Sequence, residues 1–301
     1  MRVSSFFRYQ STLQQMQKTN SSLDDITYQL TSGLKARSYS QISGDTNQLL
    51  NLKDVWANNE TYMDNISAAQ SRLVASENSL QNLSDLLVEA SNVYTQARNE
   101  LSPEVRATLG PKAEGLAESF YAILNTQFEG RYLFSGQDSG TPPTSASPTP
   151  NPFPGDPPPT AYYDGDTTRN IIIDGPGTRT SYGITGDDEA FARTKAGLET
   201  LWFGLENDSE LDIDGAIDLL EQAQKDVADA LGDVGGTLSG LDLIKERHES
   251  NNIFLKQRVD EIEKADVAEA STRFAQEEVV LNASLNVTSR LLQISLLNYL
   301  R

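Results

Sequence analysis

The C-terminal stretch that decides the fold, residues 279–300, reads VVLNASLNVTSRLLQISLLNYL. Twelve of its 22 residues are apolar, and Arg290 is its only charged residue. The apolar residues have helical spacing but spread over more than one face of a helix. One neighbouring helix covers only one of those faces, and each leucine left in water costs about 1.5–3 kcal/mol. We therefore interpret the stretch as an element that is buried by assembly with other chains.

The N-terminal stretch supplies a partner for that helix. Its mostly apolar positions follow one another at spacings of three and four residues, which is the pattern of a coiled-coil seam. Asn20 is the expected polar position that sets the register. Because the two patterns lie at opposite ends of the chain, we expect the chain to run outward and return, so that its ends pair. The predicted seam consists of Phe6, Tyr9, Leu13, Met16, Asn20, Leu23, Thr27, Leu30 and Leu34.

Long helices are predicted between the two ends. Residues 45–98 contain neither Pro nor Gly, and a helix of that length extends about 80 Å. Such lengths are typical of coiled coils and fibrous assemblies. Helices are also predicted at 190–206 and 213–231, followed by an apolar helical stripe over 234–262. The glycines from Gly232 to Gly240 predict a junction between two helices, and the Gly-Pro pair at 110–111 predicts a kink or break.

Residues 131–186 have a different character. Nine of the 12 prolines of the chain lie in residues 142–159, which predicts an extended surface loop. Residues 170–173 and 178–184 are β-prone and flank the turn sequence DGPG. We therefore expect a small β-rich insert between the helical parts of the chain.

The predicted fold class is mainly α, with long antiparallel helices, a terminal coiled coil and a small β-rich insert at the tip. We expect residues 1–44 and 265–301 to be coiled-coil assembly segments that pair with each other. Residues 45–130 and 187–264 are the two predicted halves of a long-helix bundle. Residues 131–186 are the predicted outer domain, including the Pro-rich loop.

The composition excludes several classes of function. The chain has 301 residues, a net charge of −19, no Cys and one His. An acidic surface repels nucleic acid and anionic membranes. The absence of Cys excludes disulfides and Cys-based zinc sites. No stretch is long and apolar enough for a transmembrane helix, and the N-terminus lacks the features of a Sec signal. We find no catalytic constellation and expect neither an enzyme nor a cofactor; His248 is interpreted as a packing residue on a helix.

One stretch is a candidate calcium site. Residues 210–221 match an EF-hand loop at most of its ligand positions, except that Glu stands at the first position. EF-hands usually occur in pairs, and the sequence has no second loop. Acidic residues at the start of a helix are also ordinary capping residues, and this interpretation is favoured. The candidate ligands are Glu210, Asp212, Asp214 and Glu221.

Several motifs resemble the bacterial flagellin family. They are LTSGL at residues 30–34, ASLNV at 283–287 and ISLLNYL at 294–300. EGRYLFSG at 129–136, followed by two prolines at 142–143, is most similar to the branch of hook-associated proteins that joins hook to filament. YYDGD at 162–166 and GDDEAF at 186–191 resemble the same branch.

The resemblance implies a structural subunit of the extracellular flagellum that joins the hook to the filament. It also implies type III export of an unfolded chain, an export chaperone at the C-terminal region, and assembly with itself, with the adjacent hook-associated protein and with flagellin. A filament flagellin is an alternative, and a cytoplasmic coiled-coil scaffold with a ligand-binding β insert is a more remote one. The residues predicted to form the assembly interface are Leu13, Met16, Leu23, Leu30, Leu34, Leu281, Leu285, Leu291, Leu292, Ile294, Leu296, Leu297 and Leu300.

Overall fold

The structure is a computed structural model that describes residues 2–99, 102, 104, 106 and 108–299. Six long helices account for most of these residues, and the prediction of a mainly α chain with long antiparallel helices is confirmed. The helices are α1 (Arg2–Ser32), α2 (Thr46–Asn99), α3 (Gly110–Leu124), α4 (Glu189–Asn207), α5 (Glu210–Glu263) and α6 (Val267–Tyr299). A short 3-10 helix spans Tyr39–Ile42, and the strands are β1 (Gln127–Phe128), β2 (Arg131–Tyr132), β3 (Asn170–Gly175) and β4 (Thr178–Tyr182).

The chain divides into two compact units. The first unit, called the terminal unit below, contains residues 1–58 and 250–301, and the second, called the central unit, contains residues 59–249. The five segments predicted from the sequence divide the chain more finely, and their boundaries stay predictions.

The core of the central unit lies between α2, α3, α4 and α5. Its side chains are mostly large and apolar, and the rings of Phe134 and Phe191 lie 4.8 Å apart in it. The prediction of a helix break at the Gly-Pro pair is confirmed, since α3 begins at Gly110 with Pro111 in its first turn. The largest fully buried side chains of this unit are Phe120, Phe134, Phe191, Ile66, Leu73, Leu80, Leu83, Leu87, Leu124, Leu198 and Leu201.

The predicted helix junction between Gly232 and Gly240 is wrong. α5 runs without interruption for 54 residues, through all of these glycines. Each glycine disfavours a helix by about 1 kcal/mol relative to alanine. Val234 and Leu241 are nevertheless buried in the core, and this packing keeps the helix continuous because tertiary contacts outweigh local propensity.

The β segments form two small antiparallel pairs. β1 pairs with β2, and β3 pairs with β4 in a hairpin whose register places Ile172 opposite Thr180. Gly177 has a φ of +73° in the turn, a conformation that favours glycine. Both predicted strands and the predicted turn between them are confirmed.

The β segments do not lie at the tip of the central unit. The Asn65 side-chain amide donates to the Ile173 carbonyl at 3.1 Å, so the hairpin packs beside the first half of α2. The end of α2, in contrast, lies beside the beginning of α5, where Arg98 pairs with Asp214 at 3.4 Å. The prediction that the insert lies at the tip is therefore wrong, because the chain returns along α3 before the β segments begin.

The Pro-rich segment, residues 142–159, is extended and mostly exposed, as predicted, and it is also fixed to the helices; we call it the strap. The Asn151 amide donates to the Glu199 carboxylate at 2.8 Å, and the Phe153 backbone N–H donates to Asp212 at 3.0 Å. The Arg193 side chain donates to Asp156 at 2.8 Å and also pairs with Asp226 and Glu189. Composition predicts the extended backbone of the strap but not its contacts, because the residues that anchor it are distant in sequence.

Candidate assembly interface

α1 and α6 pack against each other in antiparallel directions in the terminal unit. Arg273 of α6 donates to the Gln29 side chain of α1 at 3.0 Å. The Thr288 hydroxyl, farther along α6, contacts the Met16 sulfur near the middle of α1 at 3.6 Å. The pairing of the two ends of the chain, which the sequence predicts, is confirmed by these contacts.

The least exposed residues of each helix form the pairing seam. They recur at alternating intervals of four and three, as in a coiled coil. Thr19 is 2% exposed and Ile26 5% on α1, and Ala270 is 1% exposed on α6. The pairing seam consists of Thr12, Met16, Thr19, Leu23, Ile26 and Leu30 on α1, and of Ala270, Phe274, Glu277, Leu281, Ser284 and Thr288 on α6.

The predicted register of α1 is wrong by one residue at every second position. Leu13, Asn20 and Thr27 are exposed, whereas their preceding neighbours line the seam. Asn20 is therefore not the polar seam position, and Thr19 takes its place. The predicted and the observed seams share Met16, Leu23 and Leu30. Their other positions differ by one residue, which is about 100° around the helix. The apolar pattern alone therefore does not distinguish the two registers.

Large apolar side chains of α1 and α6 at positions outside the seam remain exposed. We call this set the outer face. Their exposed fractions range from 38% for Leu13 to 72% for Phe7, and exposed apolar groups of this size are typical of a site for another chain. The outer face consists of Phe7, Leu13, Val279, Val280, Leu285 and Val287.

The predicted interface residues fall into three groups. Leu13, Leu34 and Leu285 are exposed, whereas Met16, Leu23, Leu30 and Leu281 are half-buried in the pairing seam. The side chains of the third group lie outside the described part of the structure, and for Leu300 the backbone does so as well. A role of all these residues in contacts between subunits stays a prediction. The third group consists of Leu291, Leu292, Ile294, Leu296, Leu297 and Leu300.

A connector between α1 and α2, residues 33–45, fixes the base of the helix pair. The Lys35 N–H donates to the Glu263 carbonyl at 2.7 Å, and the Ala265 N–H donates to the Gly33 carbonyl at 2.8 Å. Gly33 has a φ of +72°, which ends α1.

Arg37 and Lys53 add polar contacts to this base. The Arg37 guanidinium donates to the Asp24 carbonyl at 2.6 Å and lies 5.1 Å from the centre of the Tyr28 ring. Lys53 of α2 donates to Glu263, and this hydrogen bond raises the pKa of Lys53 above its ordinary value although burial opposes it. Sequence reasoning missed the contact of Lys53 with Glu263 because no local pattern links residues 210 positions apart.

The calcium candidate does not form a binding loop. Residues 210–221 are the first turns of α5, so their side chains radiate around a helix. Asp212 accepts a hydrogen bond from the Ser209 hydroxyl at 2.5 Å and Asp214 pairs with Arg98 at 3.4 Å, so both carboxylates have protein partners. In the described part of the chain no three His, Cys, Asp or Glu residues come together as metal ligands. None of the described helices combines the length and hydropathy that crossing a membrane requires.

Two family models match the two helical regions of the chain. The model of the bacterial flagellin N-terminal helical region matches residues 3–139, and that of the C-terminal helical region matches residues 217–300. The matched residues include α1, α2, α6 and most of α5, and they make up more than half of the chain. The fold and the terminal helix pair thus define a flagellin-type structural protein. The chain belongs to the bacterial flagellin family.

Solved structures share the fold at low sequence identity. A protein described as a flagellar hook-associated protein from Vibrio parahaemolyticus has a TM-score of 0.62 and 19% identity, with 74% of this chain and 100% of that chain covered. FlgL from Bacillus cereus has a TM-score of 0.57 and 18% identity, with 69% and 98% covered. FlgL from Xanthomonas campestris has a TM-score of 0.53 and 17% identity, with 68% and 98% covered. The comparison with curated proteins gives no match.

Proposed function

We propose that the chain is a structural subunit of the bacterial flagellum that forms the junction between hook and filament. The observation that carries the proposal is the terminal helix pair of a flagellin-family chain, whose outer face stays exposed in one copy. Burial of that face against further copies gives the assembly its stability. The described part of the chain offers no metal cluster as a competing site.

The identities of the similar structures favour the junction over the filament. These are a hook-associated protein and two FlgL proteins, each covered over at least 98% of its length. A filament flagellin remains the second candidate because the two family models describe flagellin itself. The cytoplasmic scaffold has no comparable support.

Deletion of the gene tests the proposal. Without a junction subunit at the end of the hook, flagellin has no base on which to polymerise. We therefore expect cells with bare hooks and flagellin monomers in the medium. A plasmid copy of the gene should restore filaments. Cells that lose flagellin from both filament and medium would instead identify the chain as the filament flagellin.

We further propose that the partners are other copies of this chain, the adjacent hook-associated protein and flagellin. We also propose that the chain leaves the cell unfolded through the flagellar type III system and that an export chaperone binds residues 265–301. The absence of Cys is consistent with a chain that must stay unfolded before export. A strain without the export gate should retain the chain inside the cell, whereas secretion from that strain would contradict this route.

A further inference from the structure

A lysine, a glutamate and an asparagine meet where the strap crosses α4. Lys195 and Glu199 lie one turn apart on α4, and Asn151 belongs to the strap. The Lys195 ammonium donates to Glu199 Oε2 at 2.7 Å, and the Asn151 side-chain amide donates to the same oxygen at 2.8 Å. The amine and the carboxamide are therefore neighbours across a single carboxylate oxygen.

Further contacts fix Glu199 and the strap in this arrangement. Glu199 is 2% exposed, and its other carboxylate oxygen accepts from the Tyr121 hydroxyl at 2.8 Å. Burial raises the pKa of Tyr121 above its ordinary value, so this hydroxyl stays protonated and keeps donating. The Asn151 backbone N–H donates to the Glu199 backbone carbonyl at 3.3 Å. Groups held together in this way react as parts of one molecule, at a high effective concentration.

The Lys195 amine has the surroundings of a nucleophile. Its side chain is 19% exposed, and Nζ lies 5.5 Å from the centre of the Tyr162 ring, which shields it from water. An amine attacks a carbonyl carbon after it has lost a proton. The Glu199 carboxylate is in direct contact with the amine and is therefore placed to accept that proton.

The residue after Asn151 removes the competing reaction of its side chain. An asparagine loses its amide most readily when the backbone nitrogen of the next residue attacks Cγ. Pro152 follows Asn151 and has no backbone N–H. The Asn151 amide is therefore preserved for attack by a nucleophile from elsewhere in the fold, and the amine of Lys195 is its neighbour.

We propose that Lys195 and Asn151 form an isopeptide bond that ties the strap to α4, with Glu199 as the proton carrier. Nζ attacks Cγ of Asn151, and the Cγ–Nδ2 bond breaks with its electron pair leaving on Nδ2. The two protons that the Lys195 ammonium loses pass through Glu199 to Nδ2, which leaves as ammonium. One amide replaces another, so the step needs no oxidant and no cofactor. The bond cross-links a chain that has no Cys for disulfides, and the inference does not depend on the proposed function.

Mass spectrometry of the folded full-length chain tests the proposal. Loss of ammonia lowers the intact mass by about 17 Da relative to the sequence. Trypsin does not cleave after a lysine whose amine is acylated, so residues 132–169 and 194–225 should appear as one branched peptide. A chain that keeps the full mass of its sequence after prolonged incubation would overturn the proposal. A loss of ammonia found only in linear peptides would overturn it as well.

Two variants and a matched control assign the roles. Lys195→Met removes the nucleophile and should keep the full mass, whereas Glu199→Gln removes the proton carrier and should slow the loss of ammonia by about 100-fold or more. Lys112→Met is the control, because it removes a half-exposed lysine that pairs with Glu89 on the surface, and it should lose ammonia as the parent does. If a variant does not fold, the branched peptide of the parent decides. Ammonia loss that persists in Lys195→Met would refute the assignment.

Discussion

The outer face of the terminal helix pair gives the most informative mutation. Val280 and Val287 lie one heptad apart on α6 and are 42% and 51% exposed. Full burial of a valine contributes about 1.5–3 kcal/mol, so the exposed half of each side chain leaves about 1 kcal/mol for contacts between subunits. The pair therefore contributes about 2 kcal/mol per copy, which is about 30-fold in an association constant. Aspartate at both positions adds a cost of several kcal/mol to assembly, because each charge would be buried between subunits without a partner.

The chain offers a matched control for this double variant. Val74 and Val88 lie on α2 of the central unit and are 47% and 54% exposed. Both double aspartate variants should keep the helical circular dichroism of the parent, with melting temperatures within a few degrees of each other, because exposed substitutions cost little. Only the Val280→Asp/Val287→Asp variant should fail to restore filaments in a deletion strain. Filaments at the parental level with that variant, or equal failure of the Val74→Asp/Val88→Asp control, would refute the assignment of the outer face.

Three further predictions follow from the described contacts. Arg193→Met should lower the free energy of unfolding by about 2–4 kcal/mol in urea, because Asp226 stays largely buried without its partner while the other carboxylates turn to water; a loss below 1 kcal/mol would show that Arg193 is not the charge that compensates Asp226. Deletion of residues 291–301 should abolish assembly while the melting temperature of the monomer stays nearly unchanged, and a large loss of monomer stability would place this tail in the intramolecular core. Calcium should not raise the melting temperature, since residues 210–221 are helical, and a rise that a chelator reverses would restore the calcium site.

The sequence predicted the elements whose signals are local. The Pro- and Gly-free stretch became α2, and the β-prone runs on either side of DGPG became β3 and β4. The pairing of the two ends was also predictable, because α1 and α6 each carry an apolar repeat that needs a partner.

The features that the sequence did not predict depend on contacts between distant residues. Thr19 and Asn20 are both polar, and only the position of α6 selects Thr19 for the seam. Gly235 and Gly236 favour a break in a helix, and only the packing of α5 overrides that tendency. Anchoring of the strap by Glu199 and the contact of the buried His248 ring with the Asp174 carbonyl likewise join residues that no local pattern connects.

The most direct test of the proposed function is the position of the chain on the assembled flagellum. Gold-labelled antibody against residues 142–159, most of which are exposed, can be located by electron microscopy on intact flagella. A junction subunit predicts one narrow band of label where the hook meets the filament, with an unlabelled filament beyond it. Label distributed along the entire filament would contradict the junction and show that the chain is a filament flagellin.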